Sequence, residues 1–212
     1  MTYTNGRRTL HAVCTGVLVL ALAVCLARAA RTRSRDDWQK PDRVMRDLDL
    51  EEGGTVADVG CGRGYFTFRM AREVGKDGRV LAVDISRSAL KTVREKAKRR
   101  DLENISTTHS KPDDALLPAA SVDAALLSLV LHHAADEAKD GLMASIAKGL
   151  KPGGYLYILE FRRERDTPFH DYEELVALDE VVELAEKAGL ELDAEFFYLP
   201  HQYFLRFRRP VE

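Results

Sequence analysis

The chain has 212 residues, of which 45% are hydrophobic and 31% are charged, and its formal net charge is −2. This length allows one substantial α/β domain with its own core and excludes two domains of ordinary size. The near-neutral charge gives no general attraction to nucleic acid, and the three cysteines, Cys14, Cys25 and Cys61, fit neither a metal site nor a disulfide framework.

The first predicted element is an apolar segment, residues 10–27, whose length is close to the lower bound of about 17 residues for a membrane-spanning helix. Four arginines follow it and two precede it. The positive-inside rule therefore favours an uncleaved anchor that leaves the rest of the chain in the cytoplasm. The alternative is a signal peptide that is cleaved near Ala29, with export of the mature chain. Residues 1–37 are thus predicted to be an anchor or signal with a basic linker, and residues 38–212 to be the folded domain.

From Asp42 onward, short apolar runs alternate with helical patterns, which is typical of a parallel sheet covered by helices. The predicted strands are 55–59, 80–83, 105–108, 122–131, 155–161, 191–198 and 202–208. Helical patterns lie around Val44 to Leu48 and over 65–74, 86–100, 136–150 and 179–188, with Ser86 and Asp179 as predicted N-caps. Three residues between the last two strands require an antiparallel hairpin. The predicted fold is a doubly wound, mostly parallel seven-stranded sheet with a C-terminal antiparallel hairpin.

The first strand runs directly into a glycine-rich loop, residues 58–64, with the sequence DVGCGRG. Its alternate glycines, Gly60, Gly62 and Gly64, allow a sharp turn and a close approach of a ligand to the backbone. The dinucleotide fingerprint has its third glycine one residue later, at the position that Tyr65 occupies. The pattern predicts a cofactor loop and disfavours a nicotinamide-dependent oxidoreductase.

Two acidic residues are placed to complete such a site. Asp58 lies two residues before the first glycine, where it can meet a positively charged ligand group. Asp84 ends the second predicted strand, where a carboxylate can accept both hydroxyls of a ribose. Each could instead serve as an ordinary helix cap.

Taken together, five segments in this order resemble the class I S-adenosylmethionine methyltransferases, over about residues 38–208. The segments are 56–64, 80–84, 113–118, 121–123 and 150–154. The resemblance implies a Rossmann-like fold that binds S-adenosyl-L-methionine. It further implies that the cofactor-binding residues are Asp58, Gly60, Gly62, Gly64 and Asp84, with Asp113 or Asp114 at the adenine.

Residues 38–41 and the pair His132 and His133 are similar to the small-molecule branch near the quinone-type methyltransferases. Either histidine could act as a base or contact the acceptor, although both could be ordinary loop residues, and Glu160 is a weaker candidate for substrate contact. The implied reaction is direct displacement onto a small-molecule or lipid-like acceptor, without a metal, a nucleic acid or a nucleophilic side chain. The alternative is a protein that binds the cofactor without catalysis.

Overall fold

The computed structural model describes residues 34–163 and 175–211. The chain divides into two units, Met1–Asp37 and Trp38–Glu212. Within the described ranges, every helix is too short or too polar to cross a bilayer. The predicted hydrophobic helix over residues 10–27 lies outside those ranges.

Helices and strands alternate along the chain. Helices α1 to α6 span Arg35–Gln39, Pro41–Leu48, Thr67–Glu73, Arg87–Arg99, Asp136–Gly149 and Leu178–Lys187. Strands β1 to β7 span Thr55–Val59, Arg79–Asp84, Ile105–His109, Val122–Ser128, Leu150–Phe161, Glu191–Phe196 and Gln202–Arg208. A 3₁₀ turn, Leu131–His133, follows β4.

The strands of the described chain form one seven-stranded sheet in the order β3-β2-β1-β4-β5-β7-β6. Strands β1 to β5 are parallel, and β7 is antiparallel to both β5 and β6. The prediction of a mostly parallel sheet with a C-terminal hairpin is confirmed. Because the strand order reverses at β1, a crevice opens between the carboxyl ends of β1 and β4, where such sheets bind their ligands.

Both faces of the sheet are covered, which explains the long apolar run in β4. Leu127 packs with α5 and α6 on one face, whereas Leu126 packs with α2 and α3 on the other, and both side chains are fully buried. Burying one leucine side chain stabilises a fold by roughly 1.5–3 kcal/mol. The burial of β4 on both faces therefore fixes the position of one side of the crevice.

Several predicted bounds were wrong. Strand β5 begins at Leu150 rather than at residue 155, because Leu150 already pairs with Val122 of β4. Helix α1 begins at Arg35, within the predicted linker. Strand β4 ends at Ser128 rather than at residue 131, because Leu129 adopts a left-handed conformation with φ of 59°. Ala177 is the N-cap of α6 instead of Asp179, which lies in the first turn. Five residues rather than three separate β6 from β7, because β6 ends at Phe196. The predicted cap at Ser86 is confirmed, since its hydroxyl accepts the Ala89 N–H at 3.3 Å.

Candidate active site

The glycine loop follows β1 at the carboxyl edge of the sheet. Gly60, Gly62 and Gly64 have φ values of 71°, 52° and 86°, a region that residues with a Cβ rarely adopt. A Cβ on Gly60 would lie 2.2 Å from Val130 Cγ2, and one on Gly64 would lie 2.4 Å from Phe68 Cε2. A Cβ on Gly62 would meet nothing within 4 Å. The outer two glycines thus allow close packing, whereas Gly62 borders open space.

Asp84 supports this loop from the end of β2. Its Oδ2 accepts the Gly62 N–H at 2.7 Å, and its Oδ1 accepts the Ser86 N–H at 2.7 Å. The residue is 9% exposed. A carboxylate oxygen can accept two hydrogen bonds, so both oxygens keep a lone pair for a ligand hydroxyl. The sequence offered helix capping and ribose binding as alternatives for Asp84, and this geometry is compatible with both.

Asp58 is buried at the end of β1, with 2% exposure, and its Oδ2 accepts a hydrogen bond from the Thr67 hydroxyl at 2.5 Å. The two carboxylates make the electrostatic potential in this region negative, and this affects the pKa of Cys61. Burial raises the pKa of the Cys61 thiol, and the charges of Asp58 and Asp84 raise it further. Burial disfavours charge of either sign, but the Asp58 and Asp84 carboxylates disfavour an anion specifically and attract a cation, so the loop suits a ligand that carries positive charge.

The segment after β3 holds Asp113 and Asp114. Asp114 Oδ1 accepts the Leu116 N–H at 2.8 Å, which closes a local turn. Asp113 is exposed, and its carbonyl lies beside Gly141 of α5. Across the described residues, no hydrogen bond joins either carboxylate to the glycine loop. Asp113 is therefore the one of the two whose carboxylate stays available for a ligand.

The two histidines differ sharply in their surroundings. His132 Nδ1 lies 2.7 Å from Glu160 Oε2, and both side chains are 1% exposed. His133 is exposed, with its ring centroid 4.0 Å from that of His132. Glu160 Oε1 also accepts the N–H groups of Val130 and Leu131, at 2.6 and 2.7 Å. One carboxylate therefore holds the whole turn that follows β4.

This role of Glu160 was missed from sequence, where Glu160 was only a weak candidate for substrate contact. A signal was present, because Glu160 is the single charged residue in the apolar run 155–161. A buried carboxylate needs several donors around it. Sequence alone does not show that those donors come from the turn after β4, which lies 30 residues earlier.

The residues around the glycine loop fit S-adenosylmethionine in three respects. Gly62 leaves space where a side chain would intrude, Asp84 keeps lone pairs for hydroxyls, and the surrounding carboxylates favour a cation. A parallel sheet with a reversed C-terminal hairpin and this loop defines the class I methyltransferase fold.

Comparison with known proteins identifies the family. The profile of the methyltransferase domain family matches residues 50–196, and the chain belongs to this family. Similar curated proteins include a demethylmenaquinone methyltransferase of Listeria welshimeri, 31% identical over 123 residues that cover 58% of this chain and 50% of that protein. A 2-phytyl-1,4-naphtoquinone methyltransferase of Nostoc is 29% identical over 172 residues, with 77% and 73% coverage. The predicted resemblance to the quinone-type branch is confirmed, although the chain matches only about half the length of the Listeria relative.

Solved structures show the same fold. A SAM-dependent methyltransferase from Aquifex aeolicus superposes with a TM-score of 0.76 at 22% identity, covering 86% of this chain and 97% of that one. Geranyl diphosphate C-methyltransferase from Streptomyces coelicolor, solved with S-adenosyl-L-homocysteine, gives a TM-score of 0.68 at 15% identity, with 81% and 78% coverage. The identities are low, so the likeness extends to the fold alone.

Proposed function

We propose that this chain transfers a methyl group from S-adenosyl-L-methionine to a small-molecule acceptor. The observation that carries the proposal is the open space at Gly62, whose N–H is held by the Asp84 carboxylate, in a chain of the methyltransferase family. The cofactor supplies an electrophilic methyl group on a cationic sulfur. The protein has to align the acceptor with that methyl group and exclude water.

Each candidate residue then has a defined task. Asp84 accepts the ribose hydroxyls while it holds the Gly62 N–H, and Asp58 faces the positively charged part of the cofactor. Gly60, Gly62 and Gly64 bring the backbone close, and Asp113, rather than Asp114, binds the adenine. These assignments follow from the position of each residue at the carboxyl edge of β1, β2 and β3.

His132 is assigned as the general base that takes up the proton that the acceptor must lose. His132 Nδ1 lies 2.7 Å from Glu160 Oε2, so this carboxylate can accept the Nδ1–H and orient Nε2 as the nitrogen that would take up a proton. With the cofactor and acceptor bound, methyl transfer would release a proton from the acceptor, and Nε2 of His132 would take up that proton. His133, which is exposed, has no part in this step.

The acceptor is assigned to the apolar, quinone-type class, by analogy with the naphthoquinone and menaquinone names of the relatives. Residues 1–37 are assigned as an anchor and linker, and residues 38–212 as the catalytic domain on the cytoplasmic side. An anchor would keep the site near a bilayer, where such acceptors reside.

Two measurements test the proposal. Calorimetric titration with S-adenosyl-L-homocysteine should show one saturable site. Asp84→Ala should weaken the affinity for S-adenosyl-L-homocysteine at least tenfold, because two ribose hydroxyls lose their acceptor. The control is Asp77→Ala, which changes an exposed acid at the opposite edge of the sheet and should leave the affinity unchanged.

The second measurement tests methyl transfer. Labelled S-adenosylmethionine should transfer its label to reduced 2-phytyl-1,4-naphthoquinone or to another small molecule from a cell extract. Absence of saturation at millimolar ligand contradicts the proposal, and binding without any labelled product favours a cofactor-binding protein without catalysis.

A further inference from the structure

Gln202 is the first residue of β7 and is fully buried, with 0% exposure. Neither its Nε2 nor its Oε1 has a hydrogen-bond partner among the residues that the structure describes. Leaving a buried amide without partners costs roughly 1–3 kcal/mol per group, so buried polar side chains nearly always have one. An amide in this state indicates a partner that the described residues do not supply.

The position of Gln202 suggests where that partner comes from. Gln202 is paired in register with Phe161, the last residue of β5, so both side chains lie on the same face of the sheet. This is the face on which Phe204 packs, at the carboxyl edge where open α/β sheets bind their ligands. Strand β7 lies two strand spacings, about 10 Å, from β4, whose following turn carries His132.

The neighbourhood of Gln202 is mostly apolar. Phe161 belongs to a buried cluster with Trp38 and Leu175, and the Trp38 and Phe161 ring centroids are 5.5 Å apart. Arg162 donates its Nε–H to the backbone carbonyl of Gln202 rather than to the side chain. Aromatic walls with one uncommitted amide fit a flat, apolar molecule that carries a neutral oxygen.

We infer that Gln202 is a specificity-determining residue of the acceptor subsite, where its amide hydrogen-bonds a carbonyl or hydroxyl oxygen of an apolar ring seated against Trp38 and Phe161. An amide carries both a donor and an acceptor, so it matches either oxygen type. The inference rests on the proposed function for the identity of the subsite as the acceptor's. Because Gln202 is fully buried, the ring reaches it only by displacing a covering side chain.

Trp38 provides a direct test, because it is the single tryptophan of the sequence. Quenching of its fluorescence is titrated with 2,3-dimethyl-1,4-naphthoquinone and, as a matched probe without oxygens, 2,3-dimethylnaphthalene. N-acetyltryptophanamide corrects for inner-filter quenching. The wild-type chain should bind the quinone roughly three- to tenfold more tightly than the hydrocarbon, the factor that one net hydrogen bond supplies. Gln202→Leu should remove this preference while retaining hydrocarbon binding.

Two further readouts separate this role from a merely structural one. Gln202→Leu should melt at the same or a higher temperature than the wild type, because it removes a buried amide that has no partner. Its affinity for S-adenosyl-L-homocysteine should be unchanged. The inference is overturned if neither probe binds the wild type, if the preference for the quinone survives in Gln202→Leu, or if that variant melts well below the wild type. If the wild type does not bind S-adenosyl-L-homocysteine, that result would instead contradict the proposed function.

Discussion

At the residue scale, the contacts of Glu160 connect the fold to the proposed chemistry. The buried carboxylate accepts hydrogen bonds from the N–H groups of Val130 and Leu131, and its Oε2 lies 2.7 Å from Nδ1 of His132. Val130 in turn packs against the site where a Cβ on Gly60 would stand. One carboxylate thus fixes both the histidine and the wall of the cofactor loop, so its loss should affect stability as well as turnover.

His132→Asn should lower turnover by about 10² to 10⁴, the usual contribution of a general base. Its affinity for S-adenosyl-L-homocysteine should stay within about twofold of the wild type, since the glycine loop is untouched. His133→Asn is the matched control and should retain turnover, because its side chain is exposed. The assay is single-turnover transfer of labelled methyl to reduced 2-phytyl-1,4-naphthoquinone. Equal losses in the two variants would contradict the assignment of the proton to His132.

At the element scale, the glycines of the loop have two different roles: Gly60 allows close packing, and Gly62 leaves space for a ligand. Gly60→Ala should destabilise the domain strongly, because its Cβ would overlap Val130 in addition to the strain of a positive φ. Gly62→Ala should cost only about 1 kcal/mol, since its Cβ meets nothing and only the φ of 52° is strained. It should nevertheless weaken binding of S-adenosyl-L-homocysteine at least tenfold, as measured by calorimetry beside a thermal melt. A Gly62→Ala chain with wild-type affinity would show that the ligand does not occupy this space.

The starts of three strands are joined by Asp123 in β4. Its Oδ1 lies 2.7 Å from Lys151 Nζ in β5, and its Oδ2 accepts the Thr55 N–H in β1 at 2.9 Å. Partial burial alone would raise the pKa of Asp123, but the hydrogen bonds from Lys151 and Thr55 outweigh it and lower that pKa below 3.8. A lowered folded-state pKa adds stability above the unfolded value, and this is lost as the pH falls through the folded one.

Asp123→Asn should therefore be less stable than the wild type at pH 7, by under about 1 kcal/mol because the pair is half exposed. The difference should shrink below about pH 5, where the carboxylate of the unfolded chain begins to protonate, and vanish once Asp123 is protonated in both states. Urea unfolding across this range measures it. A difference that does not change with pH would mean that the charge on Asp123 contributes nothing.

Elements with strong local signals could be predicted from the sequence. The apolar run of β1, the loop glycines and the Ser86 cap depend on residues within a few positions of one another, and the structure has them as predicted. The end of β4 could not be predicted, because the turn that begins at the left-handed Leu129 is held by Glu160, which arrives with β5. The isolation of the Gln202 amide is likewise a property of three-dimensional packing, since no local pattern distinguishes it from a hydrogen-bonded glutamine.

At the scale of the whole molecule, the proposed acceptor site and the predicted anchor both favour methyl transfer at the cytoplasmic face of a membrane. The subsite at Trp38, Phe161 and Gln202 suits an apolar ring, and such molecules partition into membranes. Residues 10–27 are apolar and are followed by four arginines, which the positive-inside rule places in the cytoplasm. S-adenosylmethionine is a cytoplasmic metabolite, so the proposed orientation would give the domain access to both of its proposed substrates.

In a bacterial host, the full chain should sediment with membranes and stay there after a carbonate wash, because the predicted apolar anchor would hold more firmly than surface charge. Protease added outside the inner membrane should spare the domain, and detergent should expose it. Replacing Arg28, Arg31, Arg33 and Arg35 with serine removes the charge bias and should leave part of the population inverted and protease-sensitive in intact spheroplasts. If the segment is instead a cleaved signal, the domain appears as a soluble fragment whose mass begins just after Ala29, and the cytoplasmic assignment fails. The two outcomes differ in mass, in sedimentation and in protease sensitivity, so agreement among the three decides which membrane face the methyl transfer serves.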